Sequence, residues 1–276
     1  MSITAKDVSK LRQTTGAGMM DCKKALVEAD GDFEKAVDIL RAKGQKVSAK
    51  RADRETSEGS VFVKTNSEET IGYLVALNCE TDFVAKNDDF VNLGQSILNI
   101  ASSKEIEEKA ALESENMEDG RSISEHITEM IGKIGEKIEI SSYEKIKGEA
   151  VVPYVHSNSK LGVLVSLNGA SGDEVKATGR DLAMQIAAMN PVALDKSDVS
   201  QDVIDRELAV GKEQAIEEGK PADLAEKIAQ GRLNKFFKEA TLLNQQFVKD
   251  NSKTIKDVLK DVDSNLTVAT FKRVSI

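Results

Sequence analysis

The sequence is poor in aromatic residues, which make up 4% of 276 positions, and tryptophan is absent. Cysteine is as scarce: Cys22 and Cys79 stand far apart without CxxC spacing, which argues against both a disulfide framework and a zinc site. No run of about eighteen apolar residues occurs, so we predict neither a membrane span nor a signal peptide. Reduced thiols and the lack of such segments indicate a cytoplasmic protein.

Catalytic signatures are also missing. The sequence contains no GxGxxG, GxxxxGK[ST], HExxH or GxSxG motif, which removes the usual support for dinucleotide, P-loop, zinc-protease and α/β-hydrolase chemistry. Of the two histidines, His126 reads as a surface residue within a helix, and His156 lies where a hairpin turns. We therefore predict no cofactor, metal or covalent chemistry. A small-molecule enzyme stays as an alternative that would require a polar pocket.

The balance of charge is acidic, with a formal net charge of -9. This argues against nucleic acid as the main partner, because neutralising phosphates requires a face of clustered Lys and Arg. One basic stretch is an exception: residues 41–54 (RAKGQKVSAKRADR) carry six Lys or Arg against one Asp. It is either a solvated linker or a surface for RNA or an acidic protein, and the pattern leaves these alternatives open.

The first 44 residues predict a three-helix module. Thr4 can cap a first helix, GAG at 16–18 ends it, and DGD at 30–32 leads into a third helix that Gly44 is expected to stop. Residues 45–56 lack apolar periodicity and are predicted to be a linker.

Beyond the linker the pattern changes to alternation and then repeats. IGYLVALN at 71–78 returns ninety positions later as LGVLVSLN at 161–168, and a Gly-led strand precedes each copy. We predict an α+β fold whose core has two related sheet-plus-helix subdomains, at 57–145 and 146–276. The second includes an antiparallel helical hairpin at 198–240, and the closing NLTVATFKRVSI is expected to return as a strand.

The stretch NCETDFVAKN, residues 78–87, places a phenylalanine where a strand turns into a helix. One interpretation is local: Thr81 or Asp82 caps the helix, and Phe83 folds back onto it as a hydrophobic staple. The other is functional: Phe83 points outward to a partner, with Asp82 as the charge beside it. The pattern does not separate the two.

Several blocks resemble the bacterial elongation factor Ts family over nearly the whole chain. The most specific are TGAGMMDCKKAL at 15–26, DGDFEKAVDILRAKG at 30–44 and NCETDFVAKN at 78–87. The similarity continues through KIGE (133–136), YVHSNSKLGVLV (154–165), GKPADLAEKIAQGRLNKF (219–236) and LLNQQFVKD (242–250). The resemblance implies an N-terminal module of the ubiquitin-associated type and a guanine-nucleotide exchange factor for elongation factor Tu.

The resemblance also implies partner contacts at particular positions. The Asp-Phe pair of the TDFVA motif would enter the GTPase domain of elongation factor Tu and disturb its magnesium and phosphate site; it matches Asp82 and Phe83. Their neighbours Thr81 and Val84 are expected among the partner-binding residues. Further contacts would come from the N-terminal module, from KIGE, from the second hairpin and from LLNQQFVKD; the matching residues are Lys23, Ile134, Gly135, His156 and Val248. This chain has QFVK where the family reads PFVM, a departure beside Val248. The oligomeric state stays open.

Overall fold

The computed structural model describes residues 3–276 and confirms an α+β protein. Met1 and Ser2, which the prediction counted in the N-terminal module, lie outside the described residues. The helices of the described part are α1 (Ala5–Thr15), α2 (Met19–Glu28), α3 (Phe33–Arg51), α4 (Asp82–Ala85), α5 (Asp88–Ser103), α6 (Lys109–Ser114), α7 (Ile123–Ile134), α8 (Asp173–Met189), α9 (Gln201–Glu217), α10 (Ala222–Ala240) and α11 (Ile255–Val262). The strands are β1 (Glu58–Thr65), β2 (Ile71–Cys79), β3 (Ile138–Lys147), β4 (Ala150–Val155), β5 (Leu161–Asn168), β6 (Gln246–Phe247), β7 (Asp250–Thr254) and β8 (Thr267–Ser275).

The N-terminal module consists of α1, α2 and α3 around a small core of its own. Thr4 caps α1 through a capping box with Asp7, and Gly16 ends it in the left-handed conformation, at φ 64°. Leu11 and Leu26, together with smaller apolar side chains, fill the space between the helices. Both helix boundaries therefore lie where the sequence predicts them.

The predicted end of α3 is wrong. The helix continues through Gly44 to Arg51, so the first seven residues of the predicted linker, 45–51, are helical. Gly44 lies instead where α3 crosses α7, and the close approach requires a glycine on α7: a methyl group on Gly132 would lie 2.7 Å from Gly44 Cα. A glycine at a close helix crossing looks the same in sequence as a glycine that ends a helix. The wider division into a module and two subdomains stays a prediction.

The first core sheet is antiparallel, with the strand order β1-β2-β3. Helix α5 packs on β1 and β2, and α7 packs on β3 and on α3. The apolar side of α7 is buried at Ile123, Ile127 and Ile131. Strand β3 was not predicted, because its charged residues hide the alternation of IEISSYEKIK.

The second sheet repeats the first, with the order β4-β5-β8. Its central strand β5 corresponds to β2, as the repeated text predicts. The register of β2 against β3 shifts between Ala76 and Leu77, and that of β5 against β8 shifts between Ser166 and Leu167, ninety positions later. The two sheets therefore have the same shift of strand register at corresponding positions. The closing segment forms β8, as expected.

The two sheets pack on each other in a reciprocal way. A methyl group on Gly72 would lie 3.1 Å from Leu164 Cδ2, and one on Gly162 would lie 3.2 Å from Leu74 Cδ1. Gly162 corresponds to Gly72, and Leu164 to Leu74, ninety positions apart, so the two contacts are the same contact made in both directions. This is the pattern of an interface between two copies related by a two-fold axis. Val61 and Val151 also lie in this buried layer.

The predicted helical hairpin is α9 and α10. Its seam is made of small residues: a methyl group on Gly211 would lie 3.3 Å from Ala229 Cα, and Ala215 and Ala225 are buried. Leu224 is 43% exposed, and its neighbour Ala225 is the buried residue of that turn of α10. The short pair β6 and β7 and helix α11 were not predicted.

Candidate partner-binding site

The Phe83 turn, defined as residues 81–85, consists of α4 and its cap. Thr81 Oγ1 accepts a hydrogen bond from Val84 N at 3.5 Å, so the expected cap is present. Phe83 does not fold back as a staple, because it is 83% exposed, whereas Val84 and Ala85 are buried. The turn thus packs its last two residues into the apolar core between the first sheet, α5 and α7, and directs its aromatic residue outward.

The turn is fixed by a carboxylate that lies just before the neighbouring strand, β3, whose first residue pairs with the last residue of β2. Thr81 donates to Glu136 twice, from its backbone N at 3.0 Å and from Oγ1 at 2.7 Å. Glu136 follows Gly135, which ends α7 in the left-handed conformation at φ 82°. The structure therefore brings Ile134 and Gly135 next to the Phe83 turn. Sequence analysis missed Glu136 itself, although it is the last residue of the KIGE block.

A second carboxylate, Glu80, lies immediately before the turn. It accepts hydrogen bonds from Arg51 Nη1 at 2.9 Å, from Arg54 Nη1 at 2.8 Å and from Lys137 N at 2.6 Å. We call these four residues the Glu80 clamp. Burial alone would raise the pKa of Glu80, but the three donors outweigh it and lower this pKa to about 2. Glu80 is therefore ionised at neutral pH.

Asp82 is half-exposed at the base of Phe83. Its carboxylate accepts a hydrogen bond from the Lys86 ammonium at 2.7 Å, one helical turn further on. This hydrogen bond is the main cause that lowers the pKa of Asp82, and Lys160 adds a smaller electrostatic contribution. Asp82 is thus a charged group beside an exposed aromatic ring.

His156 occupies an exposed turn between β4 and β5. Its Nδ1 lies 3.0 Å from Tyr154 Oη. The same turn contacts β1, because Ser159 O accepts a hydrogen bond from Val61 N at 2.7 Å, and Lys160 pairs with Glu58 at 2.5 Å. Glu58 is opposite Cys79, the last residue of β2, so the His156 turn and the Phe83 turn lie at the same end of this sheet.

His126 lies at the surface of α7 but is only partly exposed. Its side chain is 20% exposed, and its Nε2 lies 2.9 Å from an oxygen of Asp119. The imidazole therefore joins a carboxylate that also binds Arg121.

Val248 lies apart from these groups, in the turn between β6 and β7. It is 45% exposed, and its backbone N donates to Gln185 Oε1 at 2.9 Å. Gln185 lies on α8, is fully buried and also donates to Gln246 O at 3.0 Å. A buried amide with both ends bonded holds the β6–β7 turn in one position. Sequence analysis missed this glutamine.

Lys23 is exposed on α2 of the N-terminal module. Two large apolar side chains on the same helix face accompany it: Met20 is 61% exposed and Val27 is 56% exposed. Met19, just before them, is 47% exposed. Exposed methionines beside a cation are typical of surfaces that bind another protein. The sequence showed the methionines, but not which side of α2 faces outward.

Half of the cations in the basic stretch 41–54 are paired within the chain. Arg51 and Arg54 bind Glu80, and Lys43 binds Asp21. Three of its six cations therefore hold carboxylates of the same protein, which weakens the electrostatic case for RNA.

In the part of the chain that the structure describes, none of the helices combines the length and the hydrophobicity of a membrane-spanning segment. Across residues 3–276, no group of three or more His, Cys, Asp or Glu side chains is arranged to hold a metal ion. Cys22 and Cys79 are buried free thiols, and burial raises the pKa of Cys79 to about 12.

Comparison with known proteins identifies a family. The profile described as "Elongation factor TS" matches residues 80–276. The elongation factor Ts of Amoebophilus asiaticus is 54% identical over 279 residues, covering 100% of this chain and 99% of the relative. That of Cytophaga hutchinsonii is 55% identical over 275 residues, with the same coverage. That of Porphyromonas gingivalis is 48% identical over 276 residues, again with the same coverage. This chain therefore belongs to the elongation factor Ts family.

Proposed function

We propose that this translation elongation factor is a guanine-nucleotide exchange factor for elongation factor Tu in the bacterial cytoplasm. The observation that carries the proposal is Phe83, an exposed aromatic side chain on a turn that is held from both sides. A soluble protein seldom exposes a large aromatic residue on a rigid element unless something binds it. Phe83 and Asp82 would enter the GTPase domain near its magnesium and phosphate site.

Exchange needs no covalent step. A factor that binds the nucleotide-free GTPase more tightly than the nucleotide-bound form must, by reciprocity, weaken the binding of the nucleotide. Asp82 suits this role, because a carboxylate brought close to a phosphate repels it in a site with little water. The protein would thus act through differential affinity, without catalysing a reaction of its own.

The size of the effect requires more than one contact. Shifting the equilibrium between the nucleotide-bound and nucleotide-free partner by a factor of about 10⁴ needs about 5.5 kcal/mol of differential affinity. Burying one phenylalanine supplies roughly 1.5–3 kcal/mol. The remainder would come from the α2 face with Met20 and Lys23, from Ile134 and Gly135, and from His156 and Val248. The anchoring of the turn helps, because a group that is ordered beforehand loses less entropy on binding.

The test is the release of fluorescent GDP from purified elongation factor Tu. We expect this protein to accelerate release strongly, and Phe83→Ala to slow the stimulated release by about 10- to 100-fold, the factor that corresponds to the buried area of one ring. Ile216→Ala is the matched control, because Ile216 is also exposed, at 50%, but lies on the helical hairpin. Wild-type protein that leaves GDP release unchanged would refute the exchange function.

A further inference from the structure

The Glu80 clamp joins three parts of the chain at one carboxylate. Arg51 is the last residue of α3, Arg54 follows it, and Lys137 follows α7 and Glu136. The side chains of Glu80 and Arg51 are 15% and 26% exposed. Hydrogen bonds between charged groups shielded from water are the stronger kind, and here they converge on one acceptor.

The clamp is interlocked with the bonds of the turn. Glu80 accepts from Lys137 N, and the next residue, Thr81, donates its own N to Glu136. The segment of Glu80 and Thr81 and the segment of Glu136 and Lys137 are therefore joined reciprocally. Each provides a carboxylate that accepts a hydrogen bond from a backbone N of the other. Between them they fix the backbone directly before Phe83, so any movement of the turn has to break bonds on both sides.

Helix α3 connects this arrangement to the N-terminal module. Its 19 residues make a rod about 28 Å long. Near its start Ala36 is buried in the core of the module, at its middle Gly44 crosses Gly132 of α7, and its end holds Glu80. The face with Met20 and Lys23 and the Phe83 turn are therefore attached to the same helix.

We propose that Glu80 is a positioning residue, through which the basic end of α3 holds the Phe83 turn in one orientation relative to the N-terminal module. Its consequence for exchange rests on the proposed function, whereas its effect on the turn does not. Without the clamp the turn stays attached by Thr81 but gains freedom, which it must lose again on docking. Arg51 and Arg54 thus have a role that the charge pattern of residues 41–54 left open.

The first experiment uses the absence of tryptophan from the sequence. Phe83→Trp makes position 83 the single tryptophan, and the decay of its fluorescence anisotropy reports the mobility of the turn. In this background we expect Glu80→Ala to increase the fast component of the decay at least twofold. Arg54→Ala, which removes one donor with a half-exposed side chain, provides the same test if Glu80→Ala does not fold. Lys212→Ala is the control, because it removes a comparable ion pair, to Glu226 at 3.1 Å, on the helical hairpin.

The second experiment measures exchange in two backgrounds. With Phe83 present, we expect Glu80→Ala to slow stimulated GDP release about tenfold, which corresponds to about 1.4 kcal/mol. In the Phe83→Ala background we expect less than a twofold further effect, because the group being positioned is absent. Equal factors in both backgrounds, or an unchanged anisotropy decay in the clamp variants, would overturn the proposal. If wild-type protein does not stimulate GDP release, the proposed function fails, and the anisotropy result still decides the role of Glu80.

Discussion

The two halves of the core share a framework of three antiparallel strands and a helix, and they differ in the connection between the central strand and that helix. In both, a helix glycine lies against the first strand: a methyl group on Gly94 would lie 2.2 Å from the ring of Phe62, and one on Gly179 would lie 2.5 Å from Val152. In the first half, eight residues (80–87) join the central strand to the helix, whereas in the second half four residues (169–172) do so. The additional residues contain the Phe83 turn. A duplicated scaffold thus carries its candidate site in the part that is not duplicated.

The largest expected effect comes from comparing variants in the two halves by how much each slows nucleotide exchange. We expect Phe83→Ala, in the first half, to lower the maximal rate of stimulated GDP release by about 10- to 100-fold. His156→Ala and Val248→Ala, in the second half, should chiefly raise the protein concentration needed for half-maximal stimulation, by less than tenfold. Titration of each variant against elongation factor Tu separates the two effects. A larger loss of maximal rate for His156→Ala than for Phe83→Ala would reverse the ranking.

A second prediction concerns the reciprocal contact between the sheets. Methyl groups would come within 2.6 Å of Val151 at Gly72 and within 2.4 Å of Val61 at Gly162. Gly72→Ala and Gly162→Ala should therefore each lower the free energy of unfolding by about 1–3 kcal/mol, because neighbouring side chains must move. Urea unfolding gives both values. If one variant is as stable as the parent protein, the halves do not share the contact equally.

The third prediction concerns the ionised Glu80, which belongs to the connection of the first half. Its pKa is about 2 in the folded protein, against an ordinary value of 4.5, so the unfolded chain binds the proton more tightly. The stabilisation is complete above pH 4.5 and is lost as the pH falls towards 2.

Glu80→Gln should therefore unfold more easily than the parent, by on the order of 1–2 kcal/mol near pH 7. The difference should shrink between pH 5 and pH 3. Chemical unfolding at each pH measures it, and a difference that stays constant with pH would show that the charge of Glu80 is not the cause.

The smallest expected effect is at Gly44, where the N-terminal module meets the first half. A methyl group there would lie 3.4 Å from Thr128 O, an ordinary contact, and alanine favours a helix interior over glycine. Gly44→Ala should be neutral or stabilise by up to about 1 kcal/mol. Gly132→Ala is the contrasting variant, because its methyl group would lie 2.7 Å from Gly44 Cα. Thermal unfolding that shows both variants to be equally stable would contradict this crossing geometry.

Features that depend on residues close together in the chain could be predicted from the sequence, and features that depend on distant residues could not. Capping by Thr4 and the repeated strand text depend on residues close together in the chain, and both were predicted. Thr81 was one of two capping candidates for the same reason. The continuation of α3 past Gly44 depends on Gly132, which is distant in sequence. Glu80 and Glu136 could not be distinguished among 47 acidic residues until the fold placed them beside their donors. The exposure of Phe83, which the pattern left open, was settled by the packing of Val84 and Ala85.

The order of strands has a consequence for how the chain acquires its shape during synthesis. Strands β1, β2 and β3 complete the first sheet within residues 58–147, whereas β5, at 161–168, finds its second partner only in β8, at 267–275. During synthesis, all three strands of the first sheet have therefore been made before β8, the last strand of the second sheet, is translated. The Phe83-bearing half can therefore become ordered about 120 residues of translation before its counterpart, with the apolar layer between the sheets as the last surface to close.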